Sequence, residues 1–158
     1  MRNGVLGTPM AFCEGRSDML KAWVVVLCVG LPPAALAQDG GSGTSLSVEL
    51  NTVTEANGGC KLTFVAESGY ESGVDQAVFE TVLFDVQGAV NRLTLFDFGS
   101  IPTGRPRVRQ FVIPDLACAQ LGQILINDVP TCKAPGLDDA TCAAGLTVTS
   151  RIDVDLIG

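Results

Sequence analysis

Short apolar runs separated by turn sequences recur along residues 46–158, and they restrict the fold more than any other feature. In the first run, Leu46, Val48 and Leu50 alternate with polar residues, as in a strand with one buried face. Six further runs lie at 62–66, 77–86, 90–98, 108–113, 123–127 and 146–156. Turn signals recur about every eight to twelve residues, so we expect an all-β, immunoglobulin-like antiparallel β-sandwich of about seven strands over 46–158.

Two segments favour short helical turns between these strands, at 115–121 and 138–144. Each begins with an aspartate, Asp115 or Asp138, whose carboxylate can accept hydrogen bonds from free backbone N–H groups. Each also ends near a glycine, as helices commonly do.

An apolar segment near the N-terminus predicts export. Lys21 precedes ten apolar residues at 22–31, and the sequence Ala-Leu-Ala ends at Ala37. A membrane-spanning helix needs about twenty apolar residues, so the pattern is typical of a cleaved signal peptide. We therefore predict a signal peptide over 1–37, cleavage after Ala37, and no membrane span in the processed chain.

The residues that flank this segment suggest two further boundaries. Glu14 and Asp18 are acidic where a signal peptide is normally basic, and Met19 begins a leader of ordinary length. Our hypothesis is that Met19 is the initiator and that residues 1–18 are a start-site artefact. Residues 38–45 are rich in Gly and Ser, which predicts a flexible linker.

Four cysteines follow the predicted cleavage site, and an even number in an exported chain favours two disulfides. The second and fifth strands of a seven-strand sandwich are antiparallel neighbours, which predicts a Cys60–Cys118 bond. We expect the sixth and seventh strands to be hairpin neighbours, which predicts Cys132–Cys142. Reduced buried thiols are the alternative; a zinc site is disfavoured because no C-x-x-C spacing and no histidine accompany the cysteines.

The charge composition excludes several classes of function. The chain has 17 acidic and 10 basic residues and a net charge of −7. Such a balance disfavours nucleic-acid binding, which requires clustered Lys and Arg. The chain contains no histidine, the commonest general base and metal ligand. We therefore expect no nucleic-acid partner, no metal and no cofactor.

A longer stretch of the sequence resembles a known family. The run Glu80-Thr-Val-Leu-Phe-Asp-Val-Gln-Gly-Ala-Val-Asn-Arg-Leu-Thr-Leu-Phe-Asp-Phe-Gly, together with residues 101–111, resembles small exported alphaproteobacterial proteins. Some of these carry the label "Tat pathway signal sequence domain protein". The resemblance implies a periplasmic location but no activity or ligand. This chain lacks twin arginines in its leader, so we favour general secretion.

A shorter resemblance concerns the fold. Leu83-Phe84-Asp85 with Gly88, and the later Pro102-x-Gly104, are similar to immunoglobulin-like periplasmic modules of the FxLYD type. This likeness implies a fold and no function.

Two candidate binding features stand out. Arg105, Arg107 and Arg109 recur every second residue, so on one strand their guanidinium groups would share a face and could grip carboxylates or phosphates. A solvated, salt-bridged sheet face is the favoured alternative. Tyr70, the only tyrosine, lies in a Gly/Ser/Glu-rich loop where its ring either contacts a partner or folds onto the sandwich edge.

Support for catalysis is weak. No serine-triad motif occurs, and Lys61 and Lys133 each adjoin a cysteine assigned to a disulfide. The carboxylate pairs Asp138-Asp139 and Asp153/Asp155 lack calcium-loop spacing, so we interpret them as solvated.

The apolar residues of the strands form the predicted core. Five phenylalanines are assigned to it, together with eight aliphatic residues: Phe64, Phe84, Phe96, Phe98 and Phe111, with Leu62, Val82, Leu83, Leu95, Ile124, Leu125, Val148 and Leu156. The run Val82-Leu83-Phe84 is apolar on both faces of a strand. It indicates either a fully covered central strand or an exposed apolar patch for a partner.

Together these features favour a periplasmic, non-enzymatic binding or accessory module whose partner is a protein or another envelope component. A hydrolase that uses acidic residues is one alternative, and a structural or stress-related envelope protein without a defined ligand is another. The oligomeric state does not follow from the sequence.

Overall fold

The computed structural model describes residues 45–56 and 58–158. The predicted signal peptide, residues 38–44 of the predicted linker, and Asn57 lie outside the described residues.

Eight β-strands account for most of the described chain, and the predicted all-β sandwich is confirmed. The strands are β1 (Leu46–Ala56), β2 (Gly59–Ser68), β3 (Val74–Asp85), β4 (Val90–Ile101), β5 (Arg107–Pro114), β6 (Leu121–Lys133), β7 (Leu146–Ser150) and β8 (Asp155–Ile157). A 3-10 helix at Cys118–Gln120 and the helix α1 (Asp139–Ala144) join them.

The strands form two four-stranded sheets, in the orders β5-β2-β1-β7 and β4-β3-β6-β8. Neighbours are antiparallel except at the end of the chain, where β7 runs parallel to β1 and β8 runs parallel to β6. The predicted seventh strand over 146–156 is therefore two strands in different sheets. The chain turns between them, and the Ser150 side-chain oxygen lies 2.6 Å from the Val154 carbonyl oxygen within that turn.

The core lies between the two sheets and contains a cluster of phenylalanine rings. Phe96 stacks on Phe111 with ring centroids 4.3 Å apart, and Phe79 meets Phe98 edge-to-face at 4.9 Å. Phe64 contacts three of these rings. Since Phe96 and Phe111 belong to different sheets, the cluster holds the sheets face to face.

Four residues assigned to the core by their apolar character lie on the opposite face of their sheet: Val82, Phe84, Leu95 and Leu125. Of these, Leu95 is 59% exposed, whereas Val82, on a central strand, is 8% exposed. In place of Phe84, Phe79 on the same strand is fully buried. The difference arises because a strand side chain one position from a core residue must point outward.

Both predicted disulfides are confirmed. Cys60 of β2 bonds to Cys118, just beyond β5, with a Cα–Cα distance of 4.8 Å. Cys132 bonds to Cys142 at 5.6 Å. The expected hairpin of the sixth and seventh strands is wrong, because β6 and β7 lie in different sheets. The second bond instead joins the end of β6 to α1.

The two predicted helical turns have different origins. Asp138 caps α1, since its carboxylate accepts a hydrogen bond of 2.8 Å from the Thr141 N–H. The hydrogen bonds from Thr141 lower the pKa of this carboxyl. Asp115 does not cap the 3-10 helix; it has φ of 59°, and its N–H donates to the Gly58 carbonyl.

One ion pair holds the start of the β7–β8 turn against β1. The Arg151 guanidinium donates to both carboxylate oxygens of Glu49, at 2.9 and 3.0 Å, and the Arg151 backbone N–H donates to Leu50. The hydrogen bond from Arg151, followed by that from Asn51, lowers the pKa of the Glu49 carboxyl.

We predict that the two disulfides contribute unequally to stability. Their sequence separations are 58 and 10 residues, so the chain-entropy model gives about 4 kcal/mol for Cys60–Cys118 and about 3 kcal/mol for Cys132–Cys142. Denaturant unfolding of the two double Cys→Ser variants measures this difference. A larger loss from Cys132→Ser/Cys142→Ser would contradict the prediction, and a Cys118–Cys132 peptide in non-reducing mapping would contradict the pairing.

The Glu49–Arg151 pair predicts a pH dependence of stability. Because the folded-state pKa of Glu49 lies below its unfolded value, the pair stabilises the fold above the unfolded pKa and loses this effect as the pH falls through the folded pKa. Arg151→Ala should therefore lower the melting temperature more at about pH 7 than at about pH 3. Thermal unfolding at both pH values, with Arg105→Ala as control, checks this. An equal decrease at both pH values would contradict it.

Candidate functional site

The outer face of the β4-β3-β6-β8 sheet carries an apolar row that crosses all four strands. Strand pairing sets Leu93 beside Val82, and Val82 beside Leu125. Leu125 in turn pairs with Ile157. With strands about 4.8 Å apart, the row extends about 14 Å across the sheet.

This row faces away from the other sheet because the residues next to it along each strand form the core. Leu83, Ile124 and Leu156 are buried, whereas Leu93 is 56% exposed. Three further outward residues enlarge the surface: Leu95, Val90 and Phe84. Leu95 pairs with Glu80, and Val90 pairs with Phe84. We call the seven residues the apolar face: Val82, Phe84, Val90, Leu93, Leu95, Leu125 and Ile157.

Four carboxylates border the apolar face. Glu80 pairs with Leu95 and with Asp128, Asp97 pairs with Val78, and Asp155 pairs with Gln123. The two bases of this sheet, Arg92 and Lys133, pair with Leu83 and Gln76, outside these rows. The surface is therefore apolar at its centre and negatively charged at its border.

Local hydrogen bonds orient three of these carboxylates. Glu80 accepts from the Asn127 side-chain amide at 2.7 Å. Asp97 and Asp128 accept backbone N–H groups, each at 2.8 Å. Each carboxylate has acceptor sites left over for a cationic partner.

This arrangement is suited to binding rather than to bond chemistry. Single exposed apolar residues are normal on a protein surface, but a contiguous set with a polar border is typical of an interaction site. In the run Val82-Leu83-Phe84, Leu83 is in the core, while Val82 and Phe84 lie on the outer face, where Val82 is 8% exposed and Phe84 is half-buried. β3 is thus a central strand whose outward residues belong to the apolar face.

The sequence left an apolar patch open as one of two interpretations of residues 82–84, and β4 contains a further signal for it. Both faces of this strand carry apolar residues, with Leu93 and Leu95 on one face and Phe96 and Phe98 on the other. A strand in a two-layer sandwich buries only one face, so one of the two pairs must face outward.

The three predicted binding arginines do not form one row on an exposed face. Arg105 precedes β5, and only Arg107 and Arg109 lie in the strand. They pair with Ala66 and Phe64, so they share the inner face of the sheet near its open edge. The expected rail of guanidinium groups for an acidic ligand is absent from this arrangement.

Arg109 instead connects the two sheets. Its Nε donates to the Phe98 carbonyl at 2.5 Å, and its Nη2 donates to the Ser100 carbonyl at 3.1 Å. Both carbonyls belong to β4, an edge strand of the opposite sheet. The guanidinium group of Arg109 thus donates its hydrogen bonds within the fold.

Tyr70 is also used within the fold, which is the second of its two predicted alternatives. The side chain is 4% exposed, and its hydroxyl donates to the Cys142 carbonyl at 3.0 Å. Burial raises the pKa of this phenol. The predicted contact of the Tyr70 ring with a partner is not available in this conformation.

A shallow cleft of about 400 Å³ lies beside Tyr70, between residues 69–72 and Pro135–Leu137. Its lining contains one charged residue, Glu71, and no cysteine, lysine or arginine.

The remaining predicted candidates are dispersed. Asp138 caps α1, Asp139 lies 3.8 Å from Lys133, and Asp153 and Asp155 are exposed near the end of the chain. Within residues 45–56 and 58–158, no group of three Cys, Asp or Glu residues is arranged to hold a metal ion. No helix in this described part is long and apolar enough to cross a membrane.

Comparison with protein families, with curated proteins and with solved structures found no match to this chain. The candidate site therefore stands on its geometry and charge alone.

We predict that Arg109 contributes to stability by joining the sheets. Arg109→Ala removes two charge-assisted hydrogen bonds to β4 carbonyls and should lower the free energy of unfolding by about 1–2 kcal/mol. Arg109→Lys should be only partly restoring, because an ammonium group lacks the fork geometry. Denaturant unfolding measures both variants beside Arg105→Ala, which lies outside the strand. Equal stability of Arg109→Ala and Arg105→Ala would contradict the assignment.

Proposed function

We propose that this protein is an exported, non-enzymatic binding module of the bacterial periplasm that recognises a protein partner through its apolar face. The observation that carries the proposal is the row of Leu93, Val82, Leu125 and Ile157 across one sheet, bordered by four carboxylates. The expected partner surface is apolar at its centre and carries Lys or Arg at its border, which matches the apolar face in both respects.

The covalent framework supports the export part of the proposal. Two disulfides are maintained in an oxidising compartment such as the periplasm, and they are rare in the cytosol. The leader pattern over residues 19–37 agrees with such a destination.

The pairing of β2 with β5 supports an immunoglobulin-like assignment, because the second and fifth strands are neighbours in that fold. Modules of this kind commonly act by presenting sheet faces or loops to other proteins. This support concerns architecture and carries no ligand.

The electrostatics support binding over catalysis. Catalytic groups commonly have perturbed pKa values and converge in one cleft. The described groups with shifted pKa values have local structural partners: Glu49 with Arg151, and Asp138 with Thr141. Tyr70, whose pKa is raised by burial, donates to a backbone carbonyl on a different part of the fold.

We predict that capture of partners depends on the apolar face and not on exposed apolar residues in general. The purified protein serves as bait in periplasmic extract, beside Leu93→Ser/Leu95→Ser. The matched control is Val108→Ser/Val112→Ser, which removes two equally exposed residues from β5 of the other sheet. Wild type and control should retain the same partners, and the Leu93/Leu95 variant should lose them.

Salt provides a second readout of the same proposal. Attraction between the border carboxylates and a basic partner is screened over about 8 Å at physiological ionic strength, so capture should weaken as salt is added. If all three baits return the same partners in the same amounts, the proposed function is wrong.

A further inference from the structure

We propose that the free edge of β4, from Val90 to Asp97, is a strand-addition site that pairs with an extended segment of the partner carrying apolar residues and a Lys or Arg. The inference rests on the proposed function and specifies how the partner binds. It follows from how the four sheet edges of the sandwich differ.

Three of the four edges are poor templates for another strand. β8 and β7 have three and five residues, and such short edges offer few pairing groups. β5 has eight residues, but Pro106 precedes it and Pro114 is its last residue, and proline cannot donate to a ladder. β4 has twelve residues and no proline.

Arg109 covers one end of the β4 edge and leaves the other open. Its guanidinium occupies the carbonyls of Phe98 and Ser100, where an added strand would otherwise donate its N–H groups. Gly99, between them, has φ of 58°, and the pairing register shifts next to it. Among the described residues, the stretch that no side chain covers is therefore Val90–Asp97, and its pairing register is regular from Arg92 to Asp97.

The side chains along this stretch define what an added strand should carry. Leu93, Leu95 and Asp97 follow one another at every second position on the outer face of the sheet. Side chains directly opposite one another in an antiparallel pair lie about 5 Å apart. Apolar residues opposite Leu93 and Leu95 would extend the apolar face, and a cation opposite Asp97 would neutralise its border.

A second copy of this chain fits the edge less well. Antiparallel pairing of two β4 strands with Leu93 opposite Leu95 would bring Asp97 and Glu80 of both copies to one surface. No outward base in these rows would compensate the four charges. Arg92, the base within this stretch, pairs with the buried Leu83, so the charges on the outer face are those of Asp97 and Glu80. These carboxylates favour a cationic segment from another protein.

A capped heptapeptide of sequence Lys-Thr-Val-Thr-Val-Thr-Asn is the probe. In antiparallel register with β4 it sets Lys opposite Asp97 and the two Val opposite Leu95 and Leu93. Binding to the full chain is measured by titration calorimetry, with a Glu-for-Lys peptide as charge control. We expect the Glu peptide to bind about tenfold more weakly or worse, a difference that salt should reduce.

Alternate N-methylation of the probe separates strand addition from contact with the face alone. On an edge strand only every second N–H points to its neighbour, so methylation of one alternate set should abolish binding and methylation of the other set should leave it largely intact. Hydrogen exchange should show new protection of amides in Val90–Asp97 on binding. Equal effects of the two methylated peptides, or no new protection there, would overturn strand addition.

The variants used for the proposed function keep the two failures apart. If Leu93→Ser/Leu95→Ser loses its natural partners while both methylated peptides bind alike, strand addition fails and the binding function stands. If that variant keeps its partners, the binding function itself fails. Sedimentation velocity tests whether a second copy of this chain occupies the edge. If the wild type is a dimer and Leu93→Ser/Leu95→Ser is a monomer, the edge belongs to a second copy and the proposal is overturned.

Discussion

The packing of phenylalanine rings between the two sheets is the interaction on which the rest of the structure depends. Phe64 on one sheet contacts Phe96 and Phe98 on the other, and Phe111 stacks on Phe96. These contacts fix which side of each strand faces inward, because successive side chains alternate across a strand. Once Phe96 and Phe98 are inside, Leu93 and Leu95 must be outside. The exposed apolar face is therefore a consequence of how the core is filled.

The same packing determines the state of the open edge. Phe111 and Arg109 lie on the inner face of β5, two residues apart, so the stacked ring and the guanidinium both reach toward β4. The ring closes the core there, and Arg109 takes up two edge carbonyls. The fold thus covers one end of the β4 edge. At the other end, backbone groups without a strand partner lie beside an apolar surface. Natural sheets usually avoid this arrangement unless the edge has a partner.

The disulfides and the predicted binding residues could be predicted from the sequence to different degrees. The Cys60–Cys118 bond followed from strand order, since the second and fifth strands of the sandwich are neighbours. The Cys132–Cys142 bond was predicted correctly for the wrong reason, because the chain crosses to the other sheet after α1 and never forms the expected hairpin. The arginines do not form the predicted exposed row. Residues that recur at every second position share one face of a strand, but the sequence does not show whether that face is the inner or the outer one. Tyr70 was left open between two positions because a loop sequence does not show which part of the fold its ring packs against.

The sequence by itself indicated an all-β sandwich, because apolar alternation and frequent turns are typical of short strands that bury one face. It also indicated two disulfides, since four cysteines follow the predicted leader, and strand order identified the Cys60–Cys118 bond. The tertiary structure decided which apolar residues are inside. Phe84, Leu95 and Leu125 have the same chemistry as the core residues beside them, and only the position of the opposite sheet distinguishes a buried side chain from one that faces solvent. The apolar face and its acidic border exist at that level alone, because they join residues from four strands that are distant in sequence and adjacent in the sheet.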